Sequence, residues 1–183
     1  MMRKLIMWNL ISLDGFIEGP NRDISWLNDV WGPELEQFSI EQGKEIGALL
    51  FGRITYELMA GYWPTAEKSA IADYMNALPK YVFSRTLKQA DWANTTLLKG
   101  DPAAEVAKLK HEEGKDIFVF GSADLSSHVM PLFDELRIGV APLLLGSGSP
   151  LFKKQDEKAK LKLSSADRHS TGVAILRYAP RID

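Results

Sequence analysis

Residues 5–13, LIMWNLISL, are apolar except at Asn9 and Ser12. A run that does not alternate reads as a strand covered on both faces, the habit of strands in parallel sheets. Shorter runs of the same kind recur at ALLF (48–51), KYVFS (80–84) and DIFVF (116–120), with a weaker one at TTLL (95–98). Between them the pattern turns helical. Pro33 opens PELEQFSIEQGKEIG, where Leu35, Phe38 and Ile46 fall close to one face, and proline suits the first helical turn. GRITYELM starts another helix, and residues 68–78 a third. DPAAEVAKLKHEEG is the clearest: Asp101 is the N-cap, Pro102 the first helical residue, and Gly114 marks the C-terminal end. DELRIGVAPLLLG (134–146) reads as one long strand, kinked or bulged near Gly139 and Pro142. Polar and apolar residues then alternate on both sides of a turn in KAKLKLSSADRHSTGVAILRYAP, predicting a C-terminal antiparallel hairpin. GSGSPLF (146–152) reads as a flexible turn.

Short buried strands alternating with helices predict an α/β fold. It has a mostly parallel central sheet, helices on both faces and the hairpin at one edge. No Pro/Gly/Ser-rich linker divides residues 1–183, so the chain reads as a single domain.

Composition narrows the function. With 183 residues the chain can bury a real core, and 45% hydrophobic and 25% charged residues are ordinary for a globular protein. There is no cysteine, which excludes disulfides and thiolate metal sites and suits a reducing cytoplasm. The histidines at 111, 128 and 169 are too scattered to suggest a metal site. A net charge of −2 offers no global basic field to nucleic acid or to an acidic membrane. The first apolar run is short, interrupted, and lacks a small-residue cleavage site, so it does not read as a signal peptide. The expected location is the cytoplasm.

The chemistry lies at three strand ends: LLFGRIT (49–55), YVFSRT (81–86) and FVFGS (118–122). Each puts a glycine or serine where a helix or turn starts, and arginine follows in the first two. Helix N-termini carry free N–H groups and partial positive charge, and arginine pairs phosphate oxygens two at a time. One such junction is usually only a turn. Three along one rim form the extended cradle that a dinucleotide needs. The G-x-G-x-x-G fingerprint and the Gly-Lys-Ser/Thr phosphate loop are both absent, which argues against a Rossmann dehydrogenase and a P-loop nucleotidase.

The order and spacing of NLISLDGFIEG, LLFGRITYE, YVFSRTL, FVFGSADL, DELRIGVAPLLLGSGSPLF and GVAILRYAP resemble the dihydrofolate-reductase-like family. Within it the chain is most similar to the C-terminal reductase domain of the bifunctional riboflavin-biosynthesis deaminase/reductase. The resemblance implies NADPH as cofactor, a small-molecule substrate and a homodimer. It implies that Gly52, Arg53 and Thr55 hold cofactor phosphates, and that Ser84 and Arg85 receive the adenosine 2′-phosphate. Gly121, Ser122, Ala123, Asp124 and Leu125 would pass beneath the pyrophosphate and nicotinamide ribose. Ile17 would border the nicotinamide, with Asn9 and Leu10 lining the floor. Where this chain has Gly121-Ser122 the family usually has two glycines. The missing side chain at Gly121 is then read as room for a pyrophosphate or nicotinamide ribose. The deaminase part has no counterpart, since its zinc signature needs cysteine.

Three carboxylates are candidate proton donors: Glu34 at the start of the helix opened by Pro33, Asp29 just before it, and Asp14 in the loop after the first strand. An acid in a first helical turn is also favoured by the helix dipole alone. By the same resemblance Trp26 would close the site and Phe38 would cover a flat substrate ring. The implied activity is NADPH-dependent reduction of a pteridine- or pyrimidine-type substrate, similar to 5-amino-6-(5-phosphoribosylamino)uracil reductase. The alternatives are a dihydrofolate reductase and a non-catalytic nucleotide-binding module.

Overall fold

The computed structural model describes residues 2–153 and 158–181. Its elements run in chain order β1 (Leu5–Ser12), β2 (Phe16–Glu18), α1 (Leu27–Val30), α2 (Pro33–Gly43), β3 (Ile46–Gly52), α3 (Arg53–Tyr62), α4 (Ala70–Ala77), β4 (Lys80–Phe83) and β5 (Thr95–Leu98). There follow α5 (Pro102–His111), β6 (Asp116–Phe120), α6 (Ala123–Val129), β7 (Glu135–Ala141), β8 (Ser149–Pro150), β9 (Leu161–Arg168) and β10 (Ala174–Pro180). One 8-stranded sheet has the order β5-β4-β3-β6-β1-β7-β10-β9, and β2 pairs with β8 in a separate two-stranded ribbon. β10 runs antiparallel to both β7 and β9, while the pairs from β5 across to β7 are parallel.

The apolar runs become strands because both faces of the sheet are covered. Along β1, Ile6 and Trp8 enter one core and Leu5, Met7 and Ile11 the other. The first core also takes Leu35 of α2, Tyr56 of α3, and Ile71 and Met75 of α4. The second takes Val106 and Leu109 of α5 and Leu125 and Val129 of α6. Phe118 and Leu49 are fully buried; each such side chain contributes about 1.5–3 kcal/mol. Helix starts follow local chemistry. The Ser69 Oγ accepts from the Ala72 amide at 3.1 Å and Asp101 from the Ala104 amide at 2.9 Å.

Lys80, at the start of β4, is fully buried. Its Nζ donates to the carbonyls of Met75, Asn76 and Leu78 at 2.8, 3.1 and 2.7 Å, closing the C-terminal end of α4. Burial pushes this ammonium down to about 8.

Four readings of the pattern change. The strand expected over 134–146 stops at Ala141, because Pro142 has no N–H to continue the ladder. Gly139 is no bulge: it pairs in register with Leu10, and a Cβ there would collide with the Leu10 side chain. α5 ends at His111, three residues before Gly114, which turns the chain at φ +144°. The segment read as a flexible turn contains β8, whose Ser149 and Pro150 pair with β2.

Candidate functional site

β4, β3 and β6 are parallel neighbours, so their C-terminal ends emerge side by side. After β5 the chain returns to place β6 between β3 and β1, then sets β7 on the other side of β1. A crevice opens where connections diverge in this way. A cleft of about 900 Å³ lies there. Gly52–Thr55, Ser84–Thr86 and Ser122–Leu125 line it from the three predicted junctions, and Lys99–Pro102 from a fourth. Ile17 and Glu18 of β2, with Ser149 and Lys153, also line it.

The junctions differ in their physics. At the first, Gly52 is extended (φ −78°, ψ 163°) and no side chain caps α3. The first-turn amides of this 10-residue helix therefore have no side-chain acceptor among the described residues and form a patch of positive potential. The Arg53 guanidinium lies along the helix and pairs with Glu57 at 2.9 Å. At the second, the Ser84 Oγ accepts from the amides of Thr86 and Leu87 at 3.2 and 2.9 Å. This is a hydroxyl-closed turn that leaves Arg85 exposed in the cleft. At the third, Gly121 and Ser122 both take left-handed backbone, with φ +64° and 58°.

The first and third junctions clasp each other. A Cβ on Gly52 would strike the Ser122 hydroxyl, and a Cβ on Gly121 would lie 2.8 Å from the Thr55 side chain. The Gly121 N–H donates to Asn9 Oδ1 at 2.8 Å. Gly121 therefore has a reason to be glycine within the chain itself. Its φ and the Thr55 contact already require glycine, and its amide is occupied within the chain. Ser122 keeps the conformation that a second glycine would allow, at a strain on the order of 1 kcal/mol.

Of the predicted cofactor residues, Ile17, Gly52, Arg53, Thr55, Ser84, Arg85, Ser122, Ala123, Asp124 and Leu125 line the cleft. Gly121 and Asn9 stand behind it. Asn9 is buried, and its Nδ2 has no partner among the described residues.

The carboxylates expected to donate a proton lie elsewhere. Glu34 accepts from the Ser170 amide at 2.5 Å, holding α2 to the turn of the β9–β10 hairpin. Asp29 is exposed on α1. Asp14 accepts from the Leu145 and Gly146 amides at 3.1 and 2.7 Å, tying the loop after β7 to the loop after β1. Its hydrogen bond with Ser12, then those amides, hold its carboxyl below the usual range. Asp14 therefore serves as a latch between the two loops. Trp26 is buried in the first core, and Phe38 packs on Trp8 at 5.1 Å and His169 at 6.0 Å. Neither lines the cleft.

Three carboxylates do line it: Glu18, Asp101 and Asp124. Asp101 caps α5. Asp124 pairs with Lys153, which holds its carboxyl below the ordinary value. Glu18 accepts from the Ser149 hydroxyl at 2.6 Å. Sequence reading missed Glu18, Ser149, Lys153 and Lys99. Only Lys99 carried a local signal, since TTLLKGDP is a fourth strand running into a capped helix.

The family model for the RibD C-terminal domain matches residues 3–175. The uncharacterized Bacillus subtilis protein YyaP is 31% identical over 182 residues, covering 96% of this chain and 94% of its own. A candidate riboflavin biosynthesis protein of Shewanella sp. PV-4 superposes with TM-score 0.77 at 21% identity, over 100% of both chains. The Thermotoga maritima diaminohydroxyphosphoribosylaminopyrimidine deaminase/5-amino-6-(5-phosphoribosylamino)uracil reductase superposes with TM-score 0.72 at 13% identity, over 98% of this chain and 57% of its own. The folds agree, including the mostly parallel sheet flanked by helices. The chain belongs to the RibD C-terminal domain family.

Proposed function

We propose that this protein is an NADPH-dependent reductase acting on a pyrimidine- or pteridine-type small molecule, of the class of the riboflavin-pathway pyrimidine reductases. The observation that carries the reading is the cleft along adjacent parallel strand ends, with a helix N-terminus at its centre and, at one end, basic side chains, neither of them answered by a side chain among the described residues. The residues present suit an extended phosphorylated dinucleotide. The amides at the start of α3 supply phosphate donors, Ser84 and Arg85 a phosphomonoester site, and Ile17 an apolar edge at the other end.

NADPH, when bound, supplies the hydride. The chain's own groups do the rest. Arg85 and the first turn of α3 orient the anionic portion. Ile17 and Leu125 keep water from the reacting end. Glu18, beside Ile17, is the lining carboxylate with neither a cation nor a helix end to serve among the described residues, which leaves it for the substrate. The Ser149 hydroxyl steadies it. Because Glu34 is held by the hairpin turn, the carboxylate on which a dihydrofolate reductase reading rests is not in the cleft.

The test is a calorimetric titration with NADPH and NADH, followed by NADPH oxidation in the presence of the ribosylamino-pyrimidinone of the riboflavin pathway or of dihydrofolate. Saturable NADPH binding with turnover of the pyrimidine supports the reading. Absence of NADPH binding overturns it, and turnover of dihydrofolate alone moves it to the alternative substrate.

A further inference from the structure

The connection from β4 to β5, residues 84–94, brings Ser84 and Arg85 to the cleft. Little within it holds it in place. From Arg85 to Asp91 no backbone group pairs with another backbone group among the described residues. Leu87 and Ala90 are half-buried at the edge of the first core, and Trp92 is the one buried residue of the connection. A second cavity, of about 470 Å³, lies between this connection and α3. Tyr56, Glu57 and Ala60 line it from the helix, and Leu87, Gln89 and Trp92 from the connection. Packing across that gap therefore does not register the connection on the helix.

A buried hydrogen bond does. Tyr56 is 4% exposed and lies in the first turn of α3, next to Thr55 of the cleft. Its hydroxyl accepts the Trp92 backbone N–H at 3.0 Å, from 36 residues away in sequence. The two rings meet at 6.3 Å. Trp92 is held at its indole as well. The indole N–H donates to Asn76 Oδ1 at 2.8 Å, and the buried Lys80 ammonium stands 4.4 Å from the ring centre. The indole is thus tied to α4 and β4, and the backbone beside it to α3. Leaving the buried Trp92 amide without an acceptor is costly, so the bond fixes how far the connection stands from the first turn of α3.

Resting on the proposed NADPH reading, we infer that Tyr56 is a positioning residue of the cofactor site. Tyr56 does not itself line the cleft. Its hydroxyl acts through Trp92 to set the connection that bears Arg85 against the first turn of α3. It thereby fixes the spacing between the two elements that meet the anionic parts of the cofactor. A dinucleotide with a phosphomonoester engages both elements and depends on that spacing. One without it engages the α3 end alone.

The experiment measures dissociation constants for NADPH and NADH with four proteins: wild type, Tyr56→Phe, Ile71→Val, and a variant with two glycines inserted between Lys88 and Gln89. Ile71, buried in the first core on α4, serves as a control for destabilisation alone. Tyr56→Phe lowers NADPH affinity about fivefold, the worth of one neutral hydrogen bond, and NADH affinity less than about twofold. Tryptic cleavage after Lys88 quickens in this variant. Ile71→Val lowers the melting temperature but moves neither the NADPH:NADH ratio nor the cleavage. The inserted glycines slacken the link between Trp92 and Arg85 at an exposed point, lower the ratio as Tyr56→Phe does, and test the link even where Tyr56→Phe does not fold. A ratio unchanged by Tyr56→Phe or by the insertion, in a protein that prefers NADPH, overturns the inference alone. So does an equal loss of both nucleotides in Tyr56→Phe, because Tyr56 would then support α3 and not the connection. Wild-type protein that binds neither nucleotide overturns the inference together with the function it rests on.

Discussion

The β3–α3 and β6–α6 junctions look alike in sequence, each an apolar strand ending on glycine, yet glycine serves a different purpose in each. At Gly52 the backbone is ordinary and the missing side chain is purely a matter of space, which the Ser122 hydroxyl occupies. At Gly121 the backbone itself is left-handed, Thr55 stands against it, and Asn9 consumes its amide. The first junction turns unclaimed amides toward the cleft. The third spends its own on holding the sheet together. A glycine after a strand is thus evidence of close approach, but what approaches can be the protein itself.

The largest effect that tests this difference comes from Gly121→Ala. It pays both the left-handed backbone and the Thr55 contact, a loss of about 3 kcal/mol, or roughly 6–12 °C in melting temperature for a chain of this length. Gly52→Ala meets only a hydroxyl that can rotate, and costs about 1 kcal/mol. In a Ser122→Gly background that cost falls toward zero, whereas the cost of Gly121→Ala stays. Thermal denaturation of the two double-mutant cycles reads this directly. Equal costs at both glycines, or no coupling between Gly52 and Ser122, would break the comparison.

Asn9→Leu is next. It strips the Gly121 amide of its acceptor inside the sheet, and an unsatisfied buried donor costs about 1–3 kcal/mol. Hydrogen exchange at Gly121 should quicken by one to two orders of magnitude while exchange at the Ile54 and Thr55 amides is unmoved. If both junctions loosen together, they are one cooperative unit and the distinction drawn between them fails.

These junctions also show what could be read without coordinates. Every strand that carries one was legible, because both faces of a central parallel strand are buried and the apolar run is then unbroken. The rim formed by 52–55, 84–85 and 122–125 follows from that alone. What was not legible depends on contacts distant in sequence. Asp14 reads as a turn residue or an acid until the loop 131 positions away brings it two amides. Glu34 sits where a helix start favours an acid, and only the fold of the hairpin shows that its carboxylate serves Ser170. Lys99 was passed over because lysine after a strand is commonplace. Its place in the cleft comes from the register that sets the end of β5 beside the end of β4.

The smallest expected effect concerns the third junction's remaining charge. Asp124, in the first turn of α6, pairs with Lys153 across the cleft mouth, and both side chains are largely exposed. Such pairs contribute under about 1 kcal/mol after solvent screening. The Lys153 hydrogen bond depresses the Asp124 pKa in the folded state. Its contribution is therefore present above the ordinary value of 3.8 and fades as pH falls through the lower folded value. Asp124→Asn should lower the melting temperature by no more than about 4 °C at neutral pH. The difference between wild type and variant should shrink below pH 4 and in high salt. A difference that grew on acidification would mean that the folded state raises this carboxyl instead. The β6–α6 end would then be a desolvated site like the interior, and not the open rim that its pairing with Lys153 describes.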